Sequence, residues 1–362
     1  MPTPRPKAGI LEIEPYVGGK AESGAGDRTI KLSANESALG ASEAAVAAYT
    51  RAATTLHRYP DGHATALREA IGRRFNLDHR RIVCGAGSDE LIGLLIRAYA
   101  GAGDEVLHTE HGFLMYRLGA LAAGAHPVAV PETGLRADVD AILKAVTSRT
   151  RLVFLANPNN PTGSHLSGAE LARLHAGLPG DVVLVIDAAY AEFVDEESYS
   201  SGVELAASKP NVVMTRTFSK LFGLAALRVG WMYAAPAIVD VIERIRGPFN
   251  VAHPSQVAAV AALEDVEHQE RARAHTTHWR GWLAERIGRR GFTVHPSSAN
   301  FLLIGFPQAL CRDAAAAGAF FEEHGVLTRA MGAYGLPDCL RVTVGREDEN
   351  RRVMVLLEEF AR

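Results

Sequence analysis

A short apolar run passes directly into turn-forming residues in the stretch Leu152-Val153-Phe154-Leu155-Ala156-Asn157-Pro158-Asn159-Asn160-Pro161-Thr162-Gly163. Because the apolar run shows no polar alternation, it predicts a strand that is buried on both faces. The prolines and the glycine predict a rigid loop at the carboxyl end of that strand. Open α/β sheets bind ligands at this end of their strands, so the loop is a candidate binding element. A Pro/Gly surface turn without a ligand would have the same composition.

The same rhythm of apolar runs and helix-like stretches extends to both sides. Further strands are predicted at Arg81–Cys84, Glu105–His108, Pro127–Val130, Val182–Ile186, Val212–Thr215 and Val229–Tyr233. Helices are predicted at Asp89–Ala100, Phe113–Ala123, Asp138–Val146 and Ser167–Ala176. Alternation of this kind predicts an α/β protein with a largely parallel sheet.

The two ends of the chain have different patterns. A long polar helix is predicted over about Ser255–Arg290. It is followed by predicted short strands and helices at Phe292–Val294, Phe301–Ile304, Asp313–His324, Leu340–Val344 and Asp348–Phe360, which together indicate a small α+β domain. The first forty residues are loop-rich and are expected to pack on another part of the protein. We therefore predict an N-terminal arm with part of the small domain (1–45), a large domain (46–262) and a small C-terminal domain (263–362).

The composition is typical of a folded globular protein. The 362 residues are 48% hydrophobic and 22% charged, and the formal net charge is -3. Disordered chains have fewer apolar residues, and nucleic-acid-binding proteins carry a basic surface, so neither class is favoured and no nucleic-acid partner is expected. No apolar run reaches the ~18 residues of a membrane span, so no membrane association is expected.

Lysine is rare in this chain: only six of the 38 Lys and Arg residues are lysines. Chemistry that requires a primary amine could use only Lys7, Lys20, Lys31, Lys144, Lys209 or Lys220. The three cysteines form no C-x-x-C pair, and no metal site is expected. The scattered thiols and the lack of an apolar leader in the first residues predict a cytoplasmic protein.

A second candidate element is the glycine-containing turn Cys84–Glu90, between a predicted strand and a predicted helix. Free N–H groups at the start of a helix favour an anion such as phosphate. A plain strand–helix turn capped by Ser88 or Asp89 would look the same. The turn is neither a dinucleotide-binding fingerprint nor a P-loop, because the third glycine and the G-K-[ST] sequence are missing.

Two more predicted strand ends carry polar side chains. Asp187 follows five apolar residues, and a carboxylate there requires a cationic or N–H partner, although a helix cap or a salt bridge would also satisfy it. Thr217-Phe218-Ser219-Lys220, with Arg228 eight residues further on, could surround a phosphate ester and supply an amine for a Schiff base. As ordinary surface cations, Lys220 and Arg228 would have no such role.

The order and spacing of these motifs resemble the fold-type I pyridoxal-phosphate-dependent aminotransferases over nearly the whole chain. Within that family, several segments are similar to histidinol-phosphate aminotransferases. These segments are Glu14–Lys20, Ser33–Glu36, Arg58–Asp61, Gly87–Glu90, Glu110–Phe113, Arg216–Lys220 and Leu340–Gly345. The resemblance implies the fold-type I architecture, in which a large domain (46–262) binds pyridoxal 5'-phosphate (PLP) with a mainly parallel sheet between helices, beside a small α+β domain.

The resemblance also implies roles for individual residues. Lys220 would carry PLP through a Schiff base, and Asp187 would pair with the pyridinium nitrogen. Tyr190 and Asn160 would donate hydrogen bonds to the phenolate oxygen, and Phe113 would stack on the ring. The phosphate would be held by Ser88, Asp89, Thr217, Ser219 and Arg228, and by Tyr59 from the partner subunit of a homodimer with shared active sites.

For the substrate, the resemblance implies an anion-binding role for Arg341, with Tyr16 and Asn35 nearby. The implied reaction is transfer of the amino group of L-histidinol phosphate to 2-oxoglutarate, giving imidazole acetol phosphate and glutamate in histidine biosynthesis. The segment Asn35–Gly40 departs from the family pattern, because its usual second asparagine and proline are missing.

Three alternatives stay open at this point. An aromatic amino acid aminotransferase, or an enzyme of dual specificity, would use Arg341 for a carboxylate. A phosphothreonine decarboxylase is a more distant relative with similar cofactor residues. A non-catalytic binding protein that kept the fold would require none of Lys220, Asp187, Tyr190, Asn160 and Arg228, so their joint presence argues against it.

Overall fold

The computed structural model of the protein describes residues 4–7, 9–15, 18, 29–307 and 313–362. The strands in chain order are β1 (Ile30–Lys31), β2 (Ile82–Gly85), β3 (Glu105–Thr109), β4 (His126–Val130), β5 (Thr150–Ala156), β6 (Val183–Asp187), β7 (Val212–Thr217), β8 (Gly230–Ala234), β9 (Thr293–His295), β10 (Phe301–Gly305), β11 (Val326–Leu327), β12 (Arg329–Ala330) and β13 (Cys339–Thr343). The α-helices are α1 (Glu43–Ala52), α2 (Thr65–Phe75), α3 (Ser88–Tyr99), α4 (Leu114–Ala123), α5 (Val139–Ala145), α6 (Gly168–Gly177), α7 (Val203–Ser208), α8 (Pro236–Ile245), α9 (His253–Glu264), α10 (Val266–Arg289), α11 (Ala314–Glu323) and α12 (Glu347–Phe360).

Seven of these strands form one sheet in the order β2-β8-β7-β6-β5-β3-β4. The five strands from β7 to β4 are parallel, whereas β8 runs antiparallel to both of its neighbours. The predicted α/β fold with a largely parallel sheet is confirmed. All seven predicted strands of this sheet are present, with ends that differ by at most two residues from the prediction.

The inner strands of the sheet are buried on both faces, as their unbroken apolar runs predicted. The same prediction is wrong for the edge strand β4, where His126 and Ala129 are exposed and only Val130 is buried. Along β5, Val153 and Leu155 belong to one apolar core, while Leu152 and Phe154 belong to the core on the opposite face. Successive side chains of a strand point to opposite faces, so a strand between two cores must be apolar throughout. Polar residues are confined to the strand ends, where the cores stop.

A second, four-stranded antiparallel sheet, in the order β12-β13-β10-β9, packs with α10, α11 and α12 around a separate apolar core. The early strand β1 pairs in parallel with β11, so this part of the N-terminal segment lies beside the C-terminal part of the chain. This pairing agrees with the expectation that the first forty residues pack on another part of the protein. The boundaries at 45/46 and 262/263 remain a prediction.

The single long helix predicted over Ser255–Arg290 is wrong. The chain forms two helices, α9 and α10, which are separated at Asp265 (φ -82°, ψ 70°). The Asp265 carboxylate accepts a hydrogen bond of 3.0 Å from the backbone N–H of His268 and thereby caps α10. The helix α9 is also more apolar than predicted, since Ala258, Ala259 and Ala262 are buried in a core of the large sheet.

Candidate active site

A cavity of about 230 Å³ lies at the carboxyl ends of β5, β6 and β7. Ten of the residues predicted to bind the cofactor line it: Ser88, Asp89, Phe113, Asn160, Asp187, Tyr190, Thr217, Ser219, Lys220 and Arg228. The register explains this convergence, because Ala156 is paired with Asp187 and Asp187 is paired with Thr215 on the next strand. The other lining residues, to which the sequence assigned no individual role, are Ala34, Glu36, Ala156, Pro158, Ala189 and Ala225.

Asp187 is the last residue of β6, and its side chain is buried, with 5% of the residue exposed. It accepts hydrogen bonds from the hydroxyl groups of Tyr116 (2.8 Å) and Thr215 (3.2 Å). Burial raises the pKa of the Asp187 carboxyl to about 6, although these hydrogen bonds act in the opposite direction. A buried carboxylate of this kind is well suited to pair with a cationic group that enters the cavity.

Lys220 lies three residues beyond the end of β7, and its amine donates a hydrogen bond of 3.3 Å to the carbonyl oxygen of Ala34. The amine nitrogen is 5.6 Å from the centre of the Tyr190 ring. Burial is the main cause that lowers the pKa of Lys220 to about 8, and the charge of Arg341 lowers it further. A larger fraction of the amine is therefore neutral near pH 7 than in a free lysine, as a nucleophile or base requires.

The turn between β2 and α3 forms a cradle with the Arg228 guanidinium. This side chain donates hydrogen bonds to the Ser219 hydroxyl (3.2 Å) and the Asp89 carboxylate (2.9 Å). Gly87 has a φ of +83°, and a Cβ at this position would lie 2.3 Å from Nη2 of Arg228. The helix α3 begins immediately afterwards, at Ser88. Free N–H groups at a helix start, hydroxyl groups and a guanidinium are the donors that a phosphate ester prefers.

The phenol of Tyr190 is held by the segment that precedes α1. Its hydroxyl accepts a hydrogen bond of 2.9 Å from Nδ2 of Asn35. Asn35 adopts a left-handed conformation (φ 55°), and its backbone N–H donates to the Thr343 hydroxyl at 3.0 Å. Burial raises the pKa of Tyr190 above its usual range, so this phenol stays a hydrogen-bond donor. Asn35 was expected near the substrate, and the structure places it against a residue of the cavity.

Arg341, on β13, is buried (6% exposed) and lies 5.3 Å from the centre of the Phe301 ring. It donates hydrogen bonds to Oδ1 of Asn160 and to the carbonyl oxygen of Ser33, the latter at 2.8 Å. Through Asn160 this arginine contacts the lining of the cavity. The guanidinium is therefore oriented before any substrate binds.

Among the described residues, three predicted site residues do not line this cavity: Asn35 and Arg341, which contact residues of its lining, and Tyr59. Tyr59 is 83% exposed and stacks on Phe249 with 4.7 Å between ring centres, in a different part of the surface. Within one chain, therefore, Tyr59 does not line the cavity that contains Lys220. Tyr16 lies outside the described residues.

The polar groups of the cavity correspond to the functional groups of PLP. The buried Asp187 carboxylate matches a ring nitrogen that carries a proton, the Lys220 amine matches an aldehyde, and the Arg228 cradle matches a phosphate ester. The Phe113 side chain lines the cavity and offers an apolar face for the ring. The residues present therefore fit PLP. Among the described residues, no group of three or more His, Cys, Asp or Glu is placed to hold a metal ion.

The family described as aminotransferase class I and II matches residues 27–356, and the chain belongs to this family. Over its full length the chain is similar to histidinol-phosphate aminotransferases. It is 52% identical to that of Paramagnetospirillum magneticum and 53% identical to that of Rhodospirillum centenum, with 99% of each chain covered. The crystal structure of histidinol-phosphate aminotransferase from Sinorhizobium meliloti, in complex with pyridoxal-5'-phosphate, has a TM-score of 0.89 and 27% identity, covering 98% of this chain and 96% of that one. The predicted family and fold are confirmed.

Proposed function

We propose that the protein is a PLP-dependent aminotransferase that converts L-histidinol phosphate and 2-oxoglutarate into imidazole acetol phosphate and glutamate, a reaction of histidine biosynthesis. The observation that carries the proposed chemistry is the convergence of the Lys220 amine, the Asp187 carboxylate and the Arg228 cradle on one cavity. The substrate follows from the full-length similarity to histidinol-phosphate aminotransferases.

The proposed cofactor would be held at three points. Lys220 would bind its aldehyde carbon, Asp187 its ring nitrogen, and the cradle of Ser88, Ser219 and Arg228 its phosphate, with Asp89 and Thr217 beside them. When bound, PLP supplies an electron sink for the electrons released at the substrate α-carbon. Asp187 would strengthen the electron-withdrawing effect of the ring by holding a proton on the ring nitrogen. Tyr190 and Asn160 would donate hydrogen bonds to the ring oxygen.

Lys220 would act as the base that moves the substrate α-proton. Its amine must be neutral for this, and burial provides for it by lowering the pKa to about 8. Lys220 lies three residues after a core strand, so its amine would be held close to the reacting carbon. Little of the proton-transfer rate would then be lost to unfavourable orientations of the amine.

Arg341 would bind the anionic group of the substrate. Its guanidinium is buried and oriented by the Asn160 side chain and the Ser33 carbonyl. An oriented guanidinium can form two parallel hydrogen bonds to a phosphate or a carboxylate. Tyr16 and Asn35 are proposed to complete this end of the pocket.

A homodimer is also proposed, with Tyr59 reaching the cofactor phosphate of the partner subunit. The exposed side chains of Tyr59, Leu56 and Phe249 form an apolar surface that supports this proposal. We place the enzyme in the cytoplasm, where thiols remain reduced, in keeping with the free and buried Cys84 and Cys339. None of the helices in the described ranges is both long and apolar enough to cross a membrane.

An absorbance spectrum tests the proposed chemistry. The protein supplied with PLP is expected to show a visible band that borohydride removes, since borohydride reduces a Schiff base. Lys220→Ala should lose the band, whereas Lys209→Ala, which removes an exposed lysine of the same large domain, should keep it. A band that survives in Lys220→Ala would contradict the proposed role of this amine.

The substrate is tested by comparing kcat/KM for histidinol phosphate and phenylalanine. A clear preference for histidinol phosphate is expected. A preference for phenylalanine would replace the proposed substrate by an aromatic amino acid and leave the cofactor chemistry intact.

Mixing two inactive variants tests the shared sites. In a hybrid dimer of Lys220→Ala and Tyr59→Ala subunits, one site receives Lys220 from one subunit and Tyr59 from the other. Activity is therefore expected to return on mixing. If each site were complete within a single chain, mixing the two variants would restore no activity.

A further inference from the structure

Asp187 is held by two hydroxyl groups, those of Tyr116 and Thr215, which belong to residues that do not line the cavity. The Tyr116 hydroxyl donates to Oδ2 at 2.8 Å, and the Thr215 hydroxyl donates to Oδ1 at 3.2 Å. The backbone N–H of Ala189 donates to the same carboxylate. Each carboxylate oxygen thus has a fixed side-chain partner, while Asp187 still borders the cavity.

Tyr116 is rigidly placed for this contact. It lies on α4, is fully buried, and stacks on Phe154 with 4.7 Å between ring centres, while its ring meets Phe113 edge-on at 5.8 Å. Burial and the charge of Asp187 raise the pKa of the Tyr116 phenol well above its usual value, so the hydroxyl keeps its proton. A phenylalanine would fill the same apolar space, and burying a hydroxyl is costly unless it forms a hydrogen bond.

We propose that Tyr116, assisted by Thr215, is a positioning residue that keeps Asp187 ionised and oriented toward the ring nitrogen of the cofactor. This inference rests on the proposed PLP-dependent function. It assigns a role to two residues that do not line the cavity.

The need for such donors follows from the burial of Asp187. Removal from water favours the neutral carboxyl, which cannot stabilise a cationic ring nitrogen, whereas each donated hydrogen bond favours the carboxylate. Asp89 on α3 adds to the effect of burial, and Tyr116 and Thr215 oppose both. The other titratable or charged side chains that line the cavity with Asp187 and Asp89 are Glu36, Tyr190, Lys220 and Arg228.

The test measures the affinity of the PLP-free, full-length protein for PLP as a function of pH. In the unaltered protein, affinity should fall on the acid side with a midpoint near the Asp187 pKa of about 6. Tyr116→Phe and Thr215→Val each remove one donor with little change in shape. Loss of a hydrogen bond to a charged group should move the midpoint upward by about one pH unit. Tyr233→Phe, which alters a buried tyrosine of β8 beneath Arg81, is the matched control and should not move it.

An unmoved midpoint in Tyr116→Phe overturns the inference, even if PLP binds more weakly at every pH, because a packing defect produces that uniform loss. If Tyr116→Phe does not fold, Thr215→Val decides by the same criterion. Failure of the unaltered protein to bind PLP refutes the proposed function and this inference together. PLP binding with an unmoved midpoint refutes the inference alone.

Discussion

Replacing Asp187 by asparagine is expected to stabilise the PLP-free protein at neutral pH, although it removes a functional group. The carboxyl is buried, and its pKa in the folded protein is raised from an ordinary 3.8 to about 6. A raised pKa means that the folded state holds the proton more tightly than the unfolded state does. The contribution of Asp187 to stability is therefore fully present below about pH 4 and is lost as the pH rises through about 6.

The size of the effect follows from the shift in pKa. Each unit corresponds to about 1.4 kcal/mol, so ionised Asp187 costs the folded, PLP-free protein about 3 kcal/mol at high pH. Between about pH 4.5 and about pH 7.5 the expected change is about 2 kcal/mol, because part of the loss has already occurred at the lower value. The asparagine side chain does not ionise, so Asp187→Asn lacks this loss.

The assay is urea unfolding of both PLP-free proteins across this pH range. The quantity of interest is the difference in unfolding free energy between Asp187→Asn and the unaltered protein. Other titrating groups are common to both proteins and cancel in this difference, as does any constant effect of the amide on packing. Saturating PLP should reverse the ranking, since only the carboxylate pairs with a ring nitrogen.

A difference that stays constant with pH would refute this reasoning. Asp187 would then titrate near its ordinary value, and its burial would have no consequence for its charge. A difference that grows toward low pH would be still more damaging, because it would require that the fold favours the carboxylate.

Three further predictions concern the rest of the site. Gly87→Ala should weaken PLP binding about tenfold or more, because its Cβ would lie 2.3 Å from the Arg228 guanidinium and its backbone is left-handed. The control Gly93→Ala, on the open side of α3, should leave the PLP affinity measured by titration unchanged. Arg341→Ala should lower kcat/KM for histidinol phosphate by about tenfold to a hundredfold, and equal losses in substrate and PLP affinity would remove this arginine from the substrate role. The rate of PLP capture by the unloaded protein, measured by stopped-flow absorbance, should rise with pH through about 8, where the Lys220 amine becomes neutral. A rate that does not change with pH would contradict this prediction.

The cavity could be predicted from sequence because a parallel sheet gathers the carboxyl ends of its strands at one edge. Asp187 and Lys220 are 33 residues apart in the chain, yet they lie at the carboxyl ends of the neighbouring strands β6 and β7 and so line the same cavity. Unbroken apolar runs identified those strands, and the first polar residues after them identified the site.

The positioning residues behind Asp187 could not be recognised with the same ease. Tyr116 lies in an apolar helix, where a buried tyrosine is most simply a core residue. Phe113 directly precedes α4, and Tyr116 follows it by three residues. This spacing is a signal, because residues three apart at a helix start lie on the same side. Thr215 is two residues before Thr217 on β7 and therefore points to the same side of the sheet.

The break between α9 and α10 and the short strands outside the large sheet could not be predicted from the sequence, for other reasons. Asp265 ends α9 and caps α10, but an aspartate between two helical patterns also fits a solvated helix face. The strands β1 and β11 have two residues each, too few to establish a period of two. Their pairing depends on residues that are distant in the chain, which no local pattern encodes.

The hydrogen bond between Asn35 and Thr343 joins residues that are 308 positions apart, so it has a consequence for the order in which a growing chain acquires its parts. During synthesis Asn35 emerges early, but its partner Thr343 is made only with β13, one of the last strands to appear. The large sheet and Lys220 are complete well before then. A chain that ends prematurely before β13 would thus carry the amine and the phosphate cradle, but it would lack Arg341 and the Thr343 hydroxyl that holds Asn35.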